Sequence, residues 1–112
     1  MKARLPEGYN QSRGDMLRQY QKMQEAMQQL QKEHEETEYT ASAAGGLATA
    51  TVNGKNEVVL IDVKPELVDP EDTEMMCDAI AAAVNEALRK SSDDFSQKMG
   101  SITGGLNLGG LM

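Results

Sequence analysis

The stretch Gly45–Val63 is nearly the only strand-forming material in this chain, and long helical patterns lie on both sides of it. Val, Thr and Ile dominate its two halves, as strands favour. Asn53-Gly54 at its centre suits a tight hairpin turn with positive φ, because glycine carries no Cβ and asparagine tolerates the left-handed region. Ala48, Ala50 and Val52 share one face of the first half, and Val59, Ile61 and Val63 share one face of the second. Residues 37–43 have moderate strand character, and Gly45-Gly46 permits a turn into the hairpin. Three antiparallel strands in a meander are the economical reading. A sheet this small between two long helices cannot bury all its apolar surface alone, which points to a second copy of the chain.

The leading helix is written in its spacing. Met16, Tyr20, Met23, Met27, Leu30 and His34 recur alternately four and three residues apart, a heptad stripe. Ser12 or Asp15 can cap its start, and the pattern runs to about Glu36. Asp69-Pro70-Glu71-Asp72 reads as the start of the second helix, with Asp69 at the cap and Pro70 in the first helical position. Met76, Ile80, Ala83, Val84, Ala87, Leu88, Ser91, Phe95 and Met99 then form one broad face. Gly100 is a natural stop. The order is α-β-β-β-α, an α+β fold with a small three-stranded antiparallel sheet between two long helices. Residues 1–11 read as a flexible segment, 12–100 as the dimerising domain and 101–112 as a mobile Gly/Leu-rich tail.

Little in the sequence supports catalysis. The chain has one His and one Cys, so no metal-ligand cluster can be assembled from them. Cys77 lies in a helical pattern and reads as a small buried hydrophobe, and a lone cysteine suits a reducing compartment. His34 reads as a helix-end residue with a satisfied ring. The Gly-Gly pairs lack the Gly-Lys-Ser/Thr signature of a phosphate loop. The expectation is no enzyme, no catalytic residues, no metal, no cofactor and no small-molecule substrate. The N-terminus lacks the apolar core of a signal peptide and no run approaches a membrane span, so a cytoplasmic protein without membrane contact is expected.

The net charge of −7 argues at first against a nucleic-acid partner, but the charges are unevenly spread. Residues 1–32 hold six cations against three acids, and residues 87–112 three cations against two. The middle, residues 33–86, holds thirteen acids against Lys55 and Lys64. Both ends are mildly basic and the centre is strongly acidic.

Three features together resemble the YbaB/EbfC family of bacterial nucleoid-associated proteins. The first is the Met/Gln-rich leading helix, Met23-Gln24-Glu25-Ala26-Met27-Gln28. The second is Gly45-Gly46-Leu47 through Val52-Asn53-Gly54, followed by Ile61-Asp62-Val63-Lys64-Pro65-Glu66-Leu67. The third is the Ala79–Ala87 helix, ending in a Met and a Gly/Leu-rich tail. Their order and spacing cover roughly residues 15–110.

The resemblance implies a tweezer-shaped homodimer. Its sheets and parts of its helices would form the body, with helical arms projecting. It implies binding of double-stranded DNA with modest sequence preference, a nucleoid-associated location in the cytoplasm, and an influence on nucleoid organisation or gene expression. Phosphate contacts are then expected from Arg13, Arg18 and Lys22 near one helix end and from Arg89, Lys90 and Lys98 near the other. Antiparallel helices would make these two groups neighbours. The dimer interface is expected to draw on Met16, Tyr20, Met23, Met27, Val59, Ile61, Ile80 and Val84. The alternative is a protein–protein interaction module using Met-rich helical grooves, with DNA binding incidental.

Overall fold

A computed structural model describes residues 7–111 of the chain, with side-chain surroundings over residues 13–104. Helix α1 spans Glu7–Glu36, strands β1, β2 and β3 span Glu38–Ala43, Ala48–Asn53 and Val58–Val63, and helix α2 spans Thr73–Leu111. The sheet is an antiparallel meander in the order β1-β2-β3. The expected α-β-β-β-α order is the one observed.

The core is built from small residues on the inner face of the sheet and on one stripe of α2. Ala48, Ala50, Leu67, Ala79 and Ala83 form one buried cluster, and Ala41, Val52 and Ala87 another. Alanine at 79, 83 and 87 repeats every fourth residue, so one helical stripe carries only methyl groups. The helix can therefore lie close against β1 and β2. Leu67, in the short 3-10 turn Pro65–Leu67, closes one end of this layer. Strand β3 barely touches α2. It is exposed along almost its whole length, from Val58 to Asp62.

The molecule is far from globular. Its radius of gyration is 23.2 Å, where a compact chain of this length has about 13 Å. Its extents are 90 × 24 × 15 Å. Helix α2, with 39 residues, is roughly 58 Å long at 1.5 Å per residue, so α1 must project beyond the sheet to account for the length. Contacts at the C-terminal end of α1 show how. His34 meets Ser91 and Phe95, and Tyr39 at the start of β1 meets Asp94. Farther along β1, Ala41 packs with Ala87 and Ala43 packs against the cluster of Ala79 and Ala83. Strand β1 thus runs antiparallel to α2. Helix α1, joined to β1 through Thr37 alone, extends the other way alongside the later turns of α2. The two helices make an antiparallel arm on a sheet body.

Four local expectations are corrected. Helix α1 begins at Glu7, earlier than a cap at Ser12 or Asp15, so residues 7–11 are helical; residues 1–6 of the expected flexible segment lie outside the described residues. Helix α2 does not stop at Gly100 but continues to Leu111. Its start moves from Asp69 to Asp72. The Asp69 carboxylate accepts the amide of Glu71 in a local turn, while Asp72 Oδ1 accepts the amide of Met75 in the first helical turn. Cys77 is exposed rather than buried, because it lies two residues from Ala79 and hence on the far side of the helix from the alanine stripe.

The hairpin turn holds a further correction. Gly54 does not adopt positive φ; Asn56 does, at 64°. Asn53 organises the loop instead. Its Oδ1 accepts the amides of Lys55 and Glu57, and its Nδ2 donates to the Glu57 carboxylate. Among the described residues, positive φ is otherwise confined to Ala44, Gly45 and Gly46, in the turn between β1 and β2.

Candidate nucleic-acid interface

The six expected phosphate contacts do not form one cluster. Lys90 Nζ donates to the backbone carbonyl of Thr40 at 2.9 Å, which fixes Lys90 and its neighbour Arg89 beside β1, at the body. Lys98 is one turn beyond Asp94 and binds its carboxylate at 3.1 Å, low on the arm. Arg18 precedes His34 by sixteen residues, so it sits roughly 24 Å farther out along α1. Arg13, Arg18 and Lys22 thus line the outer arm, while Arg89 and Lys90 line its base. The expected neighbourhood fails because α2 crosses the end of α1 near its own midpoint, not near its end.

These cations differ in how freely they can meet an anion. Arg18 is bound to Asp15 at 3.0 Å, with both side chains about two-thirds exposed. Arg89 is paired with Glu86 one turn earlier. Exposed pairs of this kind contribute about 0–1 kcal/mol, so a phosphate can displace the carboxylate. Among the described residues no ion pair holds Arg13 or Lys22, and both are exposed. The acids that outnumber cations in the middle of the sequence belong mostly to the sheet body and to the start of α2. The sequence charge map therefore becomes a spatial one, with a cationic outer arm and an acidic body.

Apolar exposure follows the same division. The heptad stripe of α1 is buried at Leu30, half-buried at Met27 and Met23, and open at Tyr20 and Met16. Met16 is 67% exposed and Leu17 61%. On the body, Val58, Val59, Leu60 and Ile61 are open, and they belong to β3, an edge strand of the sheet. The ladder between β2 and β3 shifts at Thr51/Val52, which leaves Val59 without a partner in the register. Ile80 and Val84 on α2 are half-buried. The eight expected interface residues therefore divide between the outer arm, the inner seam of the arm, strand β3 and the body half of α2.

A polar junction that no sequence pattern announced lies where the arm meets the body. Tyr39 donates its hydroxyl hydrogen to Asp94 Oδ2 at 2.5 Å. With that hydrogen committed, the Tyr39 oxygen accepts from His34 Nδ1, 3.0 Å away, and Nε2 accepts from the buried hydroxyl of Ser91 at 3.2 Å. The His34 ring packs against Phe95 with centroids 4.7 Å apart. Burial, and then the bond to Asp94, push the Tyr39 hydroxyl up to about 12. Hydrogen bonds from Tyr39 and then Lys98 hold the Asp94 carboxyl below its ordinary value. The ring of His34 is satisfied at both nitrogens, as its position at a helix end suggested.

The model of the YbaB/EbfC DNA-binding family matches residues 10–106. The chain belongs to this family. It is 53% identical over 97 residues to a nucleoid-associated protein of Alkaliphilus metalliredigens, covering 87% of this chain and 85% of that one. It is 50% identical over 96 residues to a nucleoid-associated protein of Pelotomaculum thermopropionicum, covering 86% of this chain and 91% of that one. In fold it is similar to an uncharacterized protein of Helicobacter pylori whose crystal structure is known. That match has a TM-score of 0.57 at 23% identity and covers 70% of this chain and 90% of the other. The family is a DNA-binding family and not an enzyme family, which agrees with the lack of catalytic constellations in the sequence.

Proposed function

We propose that this chain is a nucleoid-associated protein that grips double-stranded DNA as a homodimer, through the cations of its two arms. One observation carries the reading: Arg13, Arg18 and Lys22 stand on an arm that projects well clear of the acidic body. Phosphates can approach the arm while the body, with its excess of carboxylates, stays at a distance beyond the screening length of about 8–10 Å. Contacts to phosphate position a protein without reading sequence, so broad sequence tolerance follows. Arg89, Lys90 and Lys98 form the inner part of the same cationic track, with Lys90 the least available because it serves Thr40. The second copy covers β3 and the half-buried Ile80 and Val84, giving a body from which two arms extend. No described helix is long and apolar enough to cross a membrane. The proposed location is the nucleoid, in the cytoplasm.

A second reading rests on the exposed Met16, Leu17 and Tyr20, which offer an apolar face to a protein partner. Salt separates the two. With about six phosphates neutralised per dimer, duplex affinity should fall about a thousandfold between 50 and 200 mM salt. A mobility-shift series with the purified protein measures this slope. Arg18→Glu with Lys22→Glu should abolish the shift while light scattering shows the mass unchanged. Undiminished duplex binding by that double variant, or binding indifferent to salt, would sink the clamp.

A further inference from the structure

We propose that His34, Tyr39, Ser91 and Asp94, closed in by the Gly54 turn, form a lock that fixes α1, the first helix of the arm, against α2 and the sheet body. The argument begins with the linker. Helix α1 ends at Glu36 and β1 begins at Glu38, so Thr37 is the only residue between them. Helix α2 runs unbroken from the body into the arm, so any swing of α1 away from the sheet must pass through that residue. Thr37 is itself tied back to α1, its hydroxyl donating to Glu33 O at 2.7 Å and its amide to His34 O at 3.1 Å. One residue cannot set an angle against a lever roughly 45 Å long, the length of thirty helical residues. Contacts off the linker must hold it, and the seam of α1 along α2 is apolar and sets no unique angle.

The junction supplies that hold from three elements at once. His34 comes from the arm, Tyr39 from the sheet, and Ser91 and Asp94 from α2. Its bonds Tyr39–Asp94 and His34–Ser91 join residues 55 and 57 positions apart, so neither can form within one element. Ser91 is 1% exposed, so in the packed structure its hydroxyl is shielded from water and turned to the His34 ring.

The fourth side is closed by the hairpin tip. A Cβ built on Gly54 would lie 1.9 Å from the carbonyl oxygen of His34 and 2.7 Å from its ring. Residue 54 is therefore glycine because the turn backbone is seated on the end of α1. Beside it an open cleft of about 510 Å³ runs between the turn and the two helices, lined by Gln31, Glu35 and Asn56 among others. That unfilled space gives the arm room to swing once the lock is cut. The lock stands on these contacts alone. Its consequence for DNA, a fixed position of Arg13, Arg18 and Lys22 relative to the body, rests on the clamp reading.

The test is an electron–electron distance measurement on the full chain. Spin labels go on Gln19→Cys in the arm and Glu66→Cys on the body, in a Cys77→Ser background. Labelled chains are diluted into excess unlabelled chains so that the distance read lies within one chain. The parent should give one narrow distance. Tyr39→Phe removes two hydrogen bonds and keeps the ring, and should broaden the distribution. Gly54→Ala should shift its mean, because the tip must lift from His34. Should Gly54→Ala fail to fold, Tyr39→Phe decides alone. Gln29→Ala, which removes only a surface bond to Glu33, should leave the distance unchanged.

A parent-like distribution in Tyr39→Phe overturns the lock. A broadened one should be matched by duplex affinity weakened about tenfold, with the salt slope unaltered. That is the loss expected when each arm holds the competent angle roughly a third of the time. A broadened distribution with undiminished duplex affinity keeps the lock and overturns its link to DNA.

Discussion

Gly54 and Tyr39 show how a residue's role is fixed by its neighbours. Asn-Gly in a hairpin suggests a turn that needs positive φ, yet the left-handed residue is Asn56 and the glycine answers to a carbonyl on another element. Tyr39 reads as an ordinary strand residue until Asp94 and His34 are placed against it. Its chemistry makes a pH prediction with two arms. The Asp94 carboxyl is held below its ordinary value, so its stabilising contribution is present above the unfolded value and is lost as pH falls through the folded one. The gap in melting temperature between the parent and Asp94→Asn should therefore be widest near neutrality and close in acid. The Tyr39 hydroxyl is pushed up from 10.0 to about 12, so its contribution is whole below 10.0 and disappears as pH rises through about 12. The difference in 295 nm absorbance between the parent and Tyr39→Phe should titrate near the higher value. A difference titrating near 10 would show that neither the burial of the hydroxyl nor its bond to Asp94 persists in solution.

At the scale of elements, the alanine stripe of α2 decides how the sheet is covered. Ala79, Ala83 and Ala87 let the helix approach β1 and β2 closely, and the same closeness leaves no room for growth. Ala83 is 1% exposed between Ala48, Ala50 and Leu67. Ala83→Leu should destabilise the fold by about 1–3 kcal/mol through overpacking, read by urea denaturation at constant m-value. Stability equal to the parent would mean that the layer is looser than its geometry indicates. The heptad stripe of α1 shows the opposite condition. Its inner half is covered by α2 and its outer half is open, so one regular pattern serves two environments. Spacing alone reports the pattern and not where the cover ends.

At the scale of the molecule, length and incompleteness go together. A chain of this size that stretches to 90 Å cannot surround a core, and its open surface gathers on β3. An unpaired edge strand with exposed Val58, Val59, Leu60 and Ile61 invites a second chain. Ile61→Lys places a charge in that surface, and light scattering should then report the 12.2 kDa of one chain where the parent reports twice that mass. A parent that scatters as a single chain would remove the dimer from the proposal.

The sequence by itself determined the order of elements, the antiparallel meander and the inward alanines. Each of these depends on local periodicity: two residues in a strand, 3.6 in a helix. It also determined that charge separates into basic ends and an acidic middle, and its motifs placed the chain in its family. The tertiary structure decided where α2 crosses α1, and with it that Arg89 and Lys90 lie at the base of the arm while Arg13, Arg18 and Lys22 lie far along it. It decided that Tyr39, His34, Ser91 and Asp94 meet, and that Gly54 is wedged beneath them. These facts depend on contacts between residues more than fifty positions apart for the bonds to Ser91 and Asp94, and twenty for the turn. No local period encodes such distances, so only the packed chain could show them.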